Sequence, residues 1–269
     1  MRKKKIGRIA LLVLAVVMGA GVFFACNEKS TTLPVEETES GPKFVAHRGY
    51  SHSYVGNTEG AFRAAAGLGF YGIETDIRKA KDGYIVCNHD ATVQYADGTE
   101  KKIATTSLEE LLAQPIKNDK TKENVYLCTF EKYLRACKEG GKVAVIELKD
   151  YFSKKEVQNV LEIIDEEYDR EKTVFISFSY GALMQVKKAD PSIELQYLSQ
   201  TENDAAFDSC LEDKVSIDVK QTILTEALVK TFHDEGLKVN VWTVNDEDSL
   251  EVAERYGVDF ITTDVFYED

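Results

Sequence analysis

The chain has 269 residues, 43% of them hydrophobic, enough to bury the core of one sizeable domain. Its formal charge is -13, and Arg2, Lys3, Lys4, Lys5 and Arg8 are the only charged residues before Cys26, so 28 of the 33 basic residues face 46 acidic ones in the rest. A surface that acidic repels phosphate backbones, which argues against a nucleic-acid partner and confines any phosphate chemistry to a few focused cations or a metal.

The N-terminus carries a targeting pattern. A basic run over 1–8 precedes the uncharged apolar stretch 9–25, which ends at Cys26. This order predicts an export signal over 1–26. The Ala25-Cys26 pair resembles a bacterial lipoprotein processing site, in which the cysteine is lipidated and becomes the new N-terminus, with Phe23 where such sites usually carry an aliphatic residue. The expectation is an extracytoplasmic domain anchored to the cell membrane through lipid on Cys26; the alternative is an uncleaved anchor helix. Residues 27–43, rich in Ser, Thr, Glu and Pro, predict a flexible solvated linker, and the folded domain is expected over 44–269. Its four cysteines, Cys87, Cys128, Cys137 and Cys210, show no metal-site spacing and allow three disulfide connectivities.

Short β-rich runs then alternate with amphipathic segments. The runs fall at 44–47, 72–77, 143–149, 174–178, 195–198, 215–219, 239–244 and 260–263. Helical patterns lie between most of them, at 58–67, 155–167, 180–188, 225–235 and 246–256. Strand–helix alternation predicts a parallel sheet covered by helices, and eight strands at this length predict a (β/α)8 TIM-type barrel. One further run, 84–88, follows the tight turn Asp82-Gly83 and is expected to return antiparallel from strand 2 to the barrel mouth. The stretch 91–141 is too long for a barrel connection. It predicts a small cap insertion after the second strand, with helices at 108–112 and 130–138.

Active sites of such barrels gather at the C-terminal ends of the strands. Strand 1 ends in His47-Arg48-Gly49, strand 2 carries Glu74 and Asp76, the returning segment ends in His89-Asp90, and strand 3 carries Glu147 and Lys149. Side chains two apart on a strand share a face, so Glu74 and Asp76 point one way, and Glu147 and Lys149 repeat the arrangement. Three carboxylates converging in one barrel mouth would repel until one bound a proton. One hard divalent cation with oxygen ligands, Mg²⁺ or Ca²⁺, resolves the conflict. His52, in the loop after strand 1, and His233, on a helical pattern beside Asp234 and Glu235, have no such setting.

These landmarks stand as AHRGY (46–50), NTEGAF (57–62), GIETDIRKAKDG (72–83), HD (89–90), VIELK (145–149), SF (177–178), VWTVN (241–245) and ITTD (261–264). In order, spacing and strand context the set resembles the glycerophosphodiester phosphodiesterase family over essentially the whole folded domain. The resemblance implies that Glu74, Asp76 and Glu147 hold the metal and that His47 and His89 form an acid/base pair. It also implies that Arg48 and Lys149 contact the phosphate and that Trp242 lies near the substrate's glycerol or head group. The chain departs from the family where Val55-Gly56 stand in place of the usual Pro-Glu before Asn57-Thr58. The expected reaction is metal-dependent hydrolysis of a small glycerophosphodiester to glycerol 3-phosphate and an alcohol. The alternatives are a lysophospholipase D or sphingomyelinase D-like lipid phosphodiesterase, and a non-catalytic lipoprotein that binds lipid head groups.

Overall fold

In the computed structural model, which describes residues 41–267, the strand–helix alternation closes into a barrel. The expected signal, Cys26 and the linker up to residue 40 lie outside the described residues. Strands β1 (Lys43–Ala46) and β2 (Gly72–Lys79) are followed by four short strands, β3 (Ile85–Cys87), β4 (Thr92–Gln94), β5 (Glu100–Lys102) and β6 (Cys128–Thr129). Then come β7 (Val143–Leu148), β8 (Thr173–Ser177), β9 (Glu194–Ser199), β10 (Ser216–Lys220), β11 (Val239–Trp242) and β12 (Phe260–Thr263). Parallel pairing runs β1–β2–β7–β8–β9–β10–β11–β12 and returns to β1, where Ala46 lies opposite Thr263. All eight expected barrel strands are present.

The helices are α1 (Glu59–Ala66), α2 (Leu108–Leu112), α3 (Phe130–Gly140), α4 (Lys154–Glu167), α5 (Tyr180–Ala189), α6 (Ala206–Glu212), α7 (Glu226–Asp234) and α8 (Glu247–Tyr256). Most begin at a Ser, Thr or Asp whose side chain accepts a backbone N–H of the first turn, as Ser153 does for α4 and Asp246 for α8. Two helices lack such a bond: α3, whose N-cap Thr129 makes none, and α6, which no sequence pattern predicted. Helix α6 starts at Ala205 without a side-chain cap, so the sequence carries no start signal there.

Side-chain alternation divides the strands between two apolar regions. Ile73, Ile77, Ile146, Leu148, Ile217 and Val241 face outward and pack beneath the helices. Val45, Val145, Val174, Ile176 and Leu198 face inward and fill the barrel. The outward positions of Ile146 and Leu148 leave Glu147 pointing inward, as the period-two reading requires.

The returning segment is confirmed as β3, antiparallel to β2 with Ile77 opposite Cys87. The reversal uses Gly83 at φ +90°, whose N–H donates to Ala80 O at 3.0 Å. The stretch 91–141, expected as a single cap, divides in two. The β4–β5 hairpin and α2 form the cap proper, around Val86, Val93, Tyr95, Ile103 and Leu111. Helix α3 instead belongs to the barrel's outer layer, because Phe130, Tyr133, Leu134 and Cys137 are buried in the main core. The Tyr133 hydroxyl donates to Ile73 O of β2 at 2.7 Å, which ties α3 to the barrel wall. The four described cysteines are free and buried, with Cys87 opposite Cys128 across the β3–β6 pair. Among the described residues, no helix is long and apolar enough to cross a membrane.

Candidate active site

The mouth is organised by two residues in left-handed backbone conformation. Arg48 (φ 58°) and Asn57 (φ 60°) are both non-glycine residues at positive φ, an unfavourable geometry that persists only where surrounding contacts enforce it. At Arg48 this geometry aims the main-chain N–H at Glu74 Oε2, 2.8 Å away. At Asn57 it places the amide between strand and loop. Asn57 Nδ2 donates to Asp76 Oδ2 at 2.7 Å, and its Oδ1 accepts from Thr75 Oγ1 and from the Asp76 N–H. Gly49 completes the turn. A Cβ there would sit 2.6 Å from the Ala61 backbone, so only glycine lets the loop lie against α1.

Glu74, Asp76 and Glu147 are all buried, and each offers an oxygen within 4.8 Å of the others. Burial, then the charges of Asp76 and Glu147, push the Glu74 carboxyl well above its ordinary value. Burial, with Asp76 next, raises Glu147 to about 7. Burial alone would raise Asp76 too, but Arg48, Lys149 and the Asn57 hydrogen bond outweigh it and leave Asp76 below its ordinary range. Lys149 Nζ lies 2.9 Å from Glu147 Oε1 and 3.5 Å from Asp76 Oδ1, and Arg48 Nε lies 3.4 Å from Asp76 Oδ2. With all three acids ionised, two fixed cations would leave a net negative charge in a buried site, which is why Glu74 and Glu147 are pushed toward their neutral forms. Hard oxygen donors so gathered fit a divalent ion, the group that would lower all three carboxyl pKa values together.

The two motif histidines are each paired with a carboxylate. His47 Nδ1 bonds Asp264 Oδ1 at 2.7 Å, and Asp264 also accepts Ser51 Oγ and Asn245 Nδ2, each at 2.7 Å. Burial would raise Asp264, but the bonds from His47, Ser51 and Asn245 prevail and hold it far below the usual carboxylate range. His89 Nδ1 bonds Asp90 Oδ1 at 2.8 Å. Arg78 clamps the His89 carbonyl through Nε and Nη2, at 3.0 and 2.7 Å, and reaches Asp150 Oδ1 with Nη1. Burial, then Arg48, lowers the His89 pKa and favours its neutral form. With Nδ1 engaged in both rings, each Nε2 is left for other partners.

His47, His89, Arg48, Glu74, Glu147 and Lys149 all line one cavity of about 340 Å³. The cavity is also lined by Ile176, Phe178, Leu198 and Trp242, with Gln200, Asp218 and Thr262. Trp242 donates its indole N–H to Asp218 O at 3.3 Å and meets the Phe178 ring edge-on at 5.7 Å. The barrel thus gathers the two histidines, Arg48, Lys149, Trp242 and the carboxylates predicted from sequence at one mouth. His233 is elsewhere, on α7, bonded to Asp259 at 2.8 Å. Sequence reading missed the functions of Asn57 and Asp264, although both fall in motifs. Asp264 immediately follows β12, so the strand-end rule that found His47 could have found it. Val55 joins the cap's apolar cluster, and a Cβ on Gly56 would sit 3.0 Å from Arg48 Cβ, so the departing pair packs directly beside the site.

Residues 47–267 match the glycerophosphoryl diester phosphodiesterase family. A glycerophosphodiester phosphodiesterase of Caldanaerobacter subterraneus subsp. tengcongensis is 29% identical over 227 residues, covering 82% of this chain and 93% of that protein. A glycerophosphodiester phosphodiesterase of Parabacteroides distasonis superposes with a TM-score of 0.72 at 26% identity, over 84% of this chain and 93% of that one. An Oleispira antarctica phosphodiesterase, solved with its product sn-glycerol-3-phosphate, shares the fold with a TM-score of 0.74 at 22% identity, over 83% and 93%. With the family match running from the end of β1 past the last barrel strand, the chain belongs to the glycerophosphoryl diester phosphodiesterase family.

Proposed function

We propose that this protein hydrolyses small glycerophosphodiesters to glycerol 3-phosphate and an alcohol, with His47 and His89 as the acid/base pair. The observation that carries this reading is the joint placement of both carboxylate-paired histidines with Glu74 and Glu147 in one cavity, beside Asp76 of the same acidic trio. Membership of the family and the named activity of the 29%-identical relative support it.

A phosphodiester anion resists attack because its charge repels nucleophiles. Arg48 and Lys149, both lining the cavity, would offset that charge and more of it as the transition state forms. Glu74, Asp76 and Glu147 would hold Mg²⁺ or Ca²⁺, which when bound adds positive charge against the phosphoryl oxygens. One imidazole takes a proton from the nucleophile, the other gives a proton to the departing alcohol, and one water is consumed overall, its oxygen ending on phosphorus as the P–O bond to that alcohol breaks. Such transfers are typically worth about 10²–10⁴-fold each. Asp264 and Asp90 orient the rings, and the low pKa of His89 suits it to accept a proton near neutrality. Trp242 and Phe178 would pack against the substrate's carbon skeleton.

The protein is further proposed to act outside the cytoplasm, exported by residues 1–26 and anchored to the membrane by lipid on Cys26. The linker 27–43 would then carry the barrel away from the bilayer. The basic N-terminal run and the Ala25-Cys26 pair support this reading. Product analysis on glycerophosphocholine, with and without chelator, tests the reaction. Release of choline and glycerol 3-phosphate only in the presence of a divalent ion is expected, and release of phosphocholine or no turnover at all would refute it.

A further inference from the structure

Asp218 is a buried acidic side chain in the cavity wall that the proposed reaction leaves without a task. It lies on β10 between Ile217 and Val219, which face the outer core, so its own carboxyl points into the barrel. It is 1% exposed, and Oδ1 has no hydrogen-bond partner among the described residues. The polar neighbours are committed elsewhere: Asn240, its register partner on β11, donates to Gln196, and Thr262 donates to Asn240. Lys149 is engaged with Glu147 and Asp76. Asp218 also stands outside the trio whose oxygens approach within 4.8 Å. A buried polar atom without a partner is costly, and such atoms in a cavity commonly await a ligand.

The surroundings specify which ligand group fits. Ile176, Leu198, Phe178 and Trp242 line the cavity together with the histidines, Arg48 and Lys149, and Leu198 is the register partner of Asp218 on β9. The Trp242 indole donates to the Asp218 main-chain carbonyl, which sets the ring beside this residue. A short carbon skeleton would lie against the wall and present a hydroxyl to Oδ1. A hydroxyl is the partner that serves a carboxyl in either protonation state, since it both donates and accepts. A second phosphate would be repelled by a carboxylate, and a quaternary ammonium would leave Oδ1 unpaired.

We propose that Asp218 is a substrate-binding residue that recognises free hydroxyls on the glycerol arm, making the site selective for polyol phosphates over phosphates with unhydroxylated chains. This rests on the phosphodiesterase reading above and adds to it the determinant of which alcohol is held inside the barrel.

The test is calorimetric titration of the full chain, in Mg²⁺, with sn-glycerol 3-phosphate and with propyl phosphate, which lacks both hydroxyls. Wild type is expected to prefer glycerol 3-phosphate by about threefold to tenfold, the scale of one hydrogen bond. Asp218→Leu should bind the two alike, and Asp218→Asn, which keeps the shape and a hydrogen bond, should retain most of the preference. Equal affinities in wild type overturn the proposal without recourse to any variant, and so does a preference that survives Asp218→Leu. Turnover of glycerophosphocholine is measured in parallel. Wild type that shows the ligand preference, lost in Asp218→Leu, but no turnover overturns the reaction and leaves Asp218 as the hydroxyl reader. Wild type that turns over without preference overturns Asp218 alone.

Discussion

Asp264 and His47 form a pair at the barrel mouth, with 2.7 Å between Oδ1 and Nδ1, and the same carboxylate oxygen also accepts the Ser51 hydroxyl. An imidazole so held keeps one tautomer and one ring orientation, with Nε2 turned to the cavity. Asp264→Asn should therefore lower kcat by about 10² or more with a smaller change in KM, because an amide can donate to Nδ1 and stabilise the wrong tautomer. Steady-state kinetics, with a melting curve as the folding control, decide it. Unchanged kcat would show that the pairing does not matter for the reaction.

The two histidines form the strictest test. His47→Ala and His89→Ala should each cut turnover by at least roughly 10² while the fold is retained, and the double variant should lose far less than the product of the two. His233→Ala, whose Asp259 contact lies at the opposite face, should turn over like wild type. If either motif histidine is dispensable, the acid/base pairing is wrong even though the barrel stands.

Chelation should abolish turnover, and Mg²⁺ or Ca²⁺ should restore it. The buried trio also ties the ion to stability. Glu147 rises to about 7 in the fold from 4.5, because burial and Asp76 disfavour its charge. The stability it supports is complete below about pH 4.5 and is lost as pH rises through about 7. A bound cation favours the ionised form, so protons and metal compete. The gain in Tm on adding the ion should be larger at pH 8 than at pH 5. Glu147→Gln should raise the Tm of the chelated protein at pH 8 and weaken the response to metal. An ion-induced gain that is equal at both pH values would argue against the trio as the site.

Cys26→Ala should block lipidation and release or mis-process the protein. Fractionation and intact mass report the outcome: an unchanged membrane-bound product at full precursor mass would favour an uncleaved anchor helix instead.

Periodicity carried most of the architecture. Ile73, Glu74, Thr75, Asp76 and Ile77 alternate between the outer core and the mouth, so the facing of the carboxylates could be read before any coordinates. The strand ends likewise named His47, His89, Glu147 and Lys149. What periodicity does not encode is which loop returns over which strand end. Asn57 reaches Asp76 only because the loop after β1 folds back at positive φ, and an asparagine in a loop gives no sign of that. Helix α3 was misplaced for a related reason. Its amphipathic pattern states that one face is buried, and only the packing against Ile73 and Ile146 states where. Asp218 was passed over because a single acid in an apolar strand has no local partner to give it meaning.

The seam between β1 and β12 has a consequence for partial chains. His47 and the carboxylate that steadies it are 217 positions apart and become neighbours only when the last strand docks against the first. A fragment that stops before residue 260 would carry both histidines, the acidic trio, Arg48 and Lys149, yet it would lack the carboxylate that pairs with the first imidazole. Contacts of such high sequence separation carry a large loop-closure cost and slow the folding that must form them. Catalytic competence should thus arrive with the final strand rather than accumulate along the chain, which makes turnover itself a sensitive reporter of a fully closed barrel.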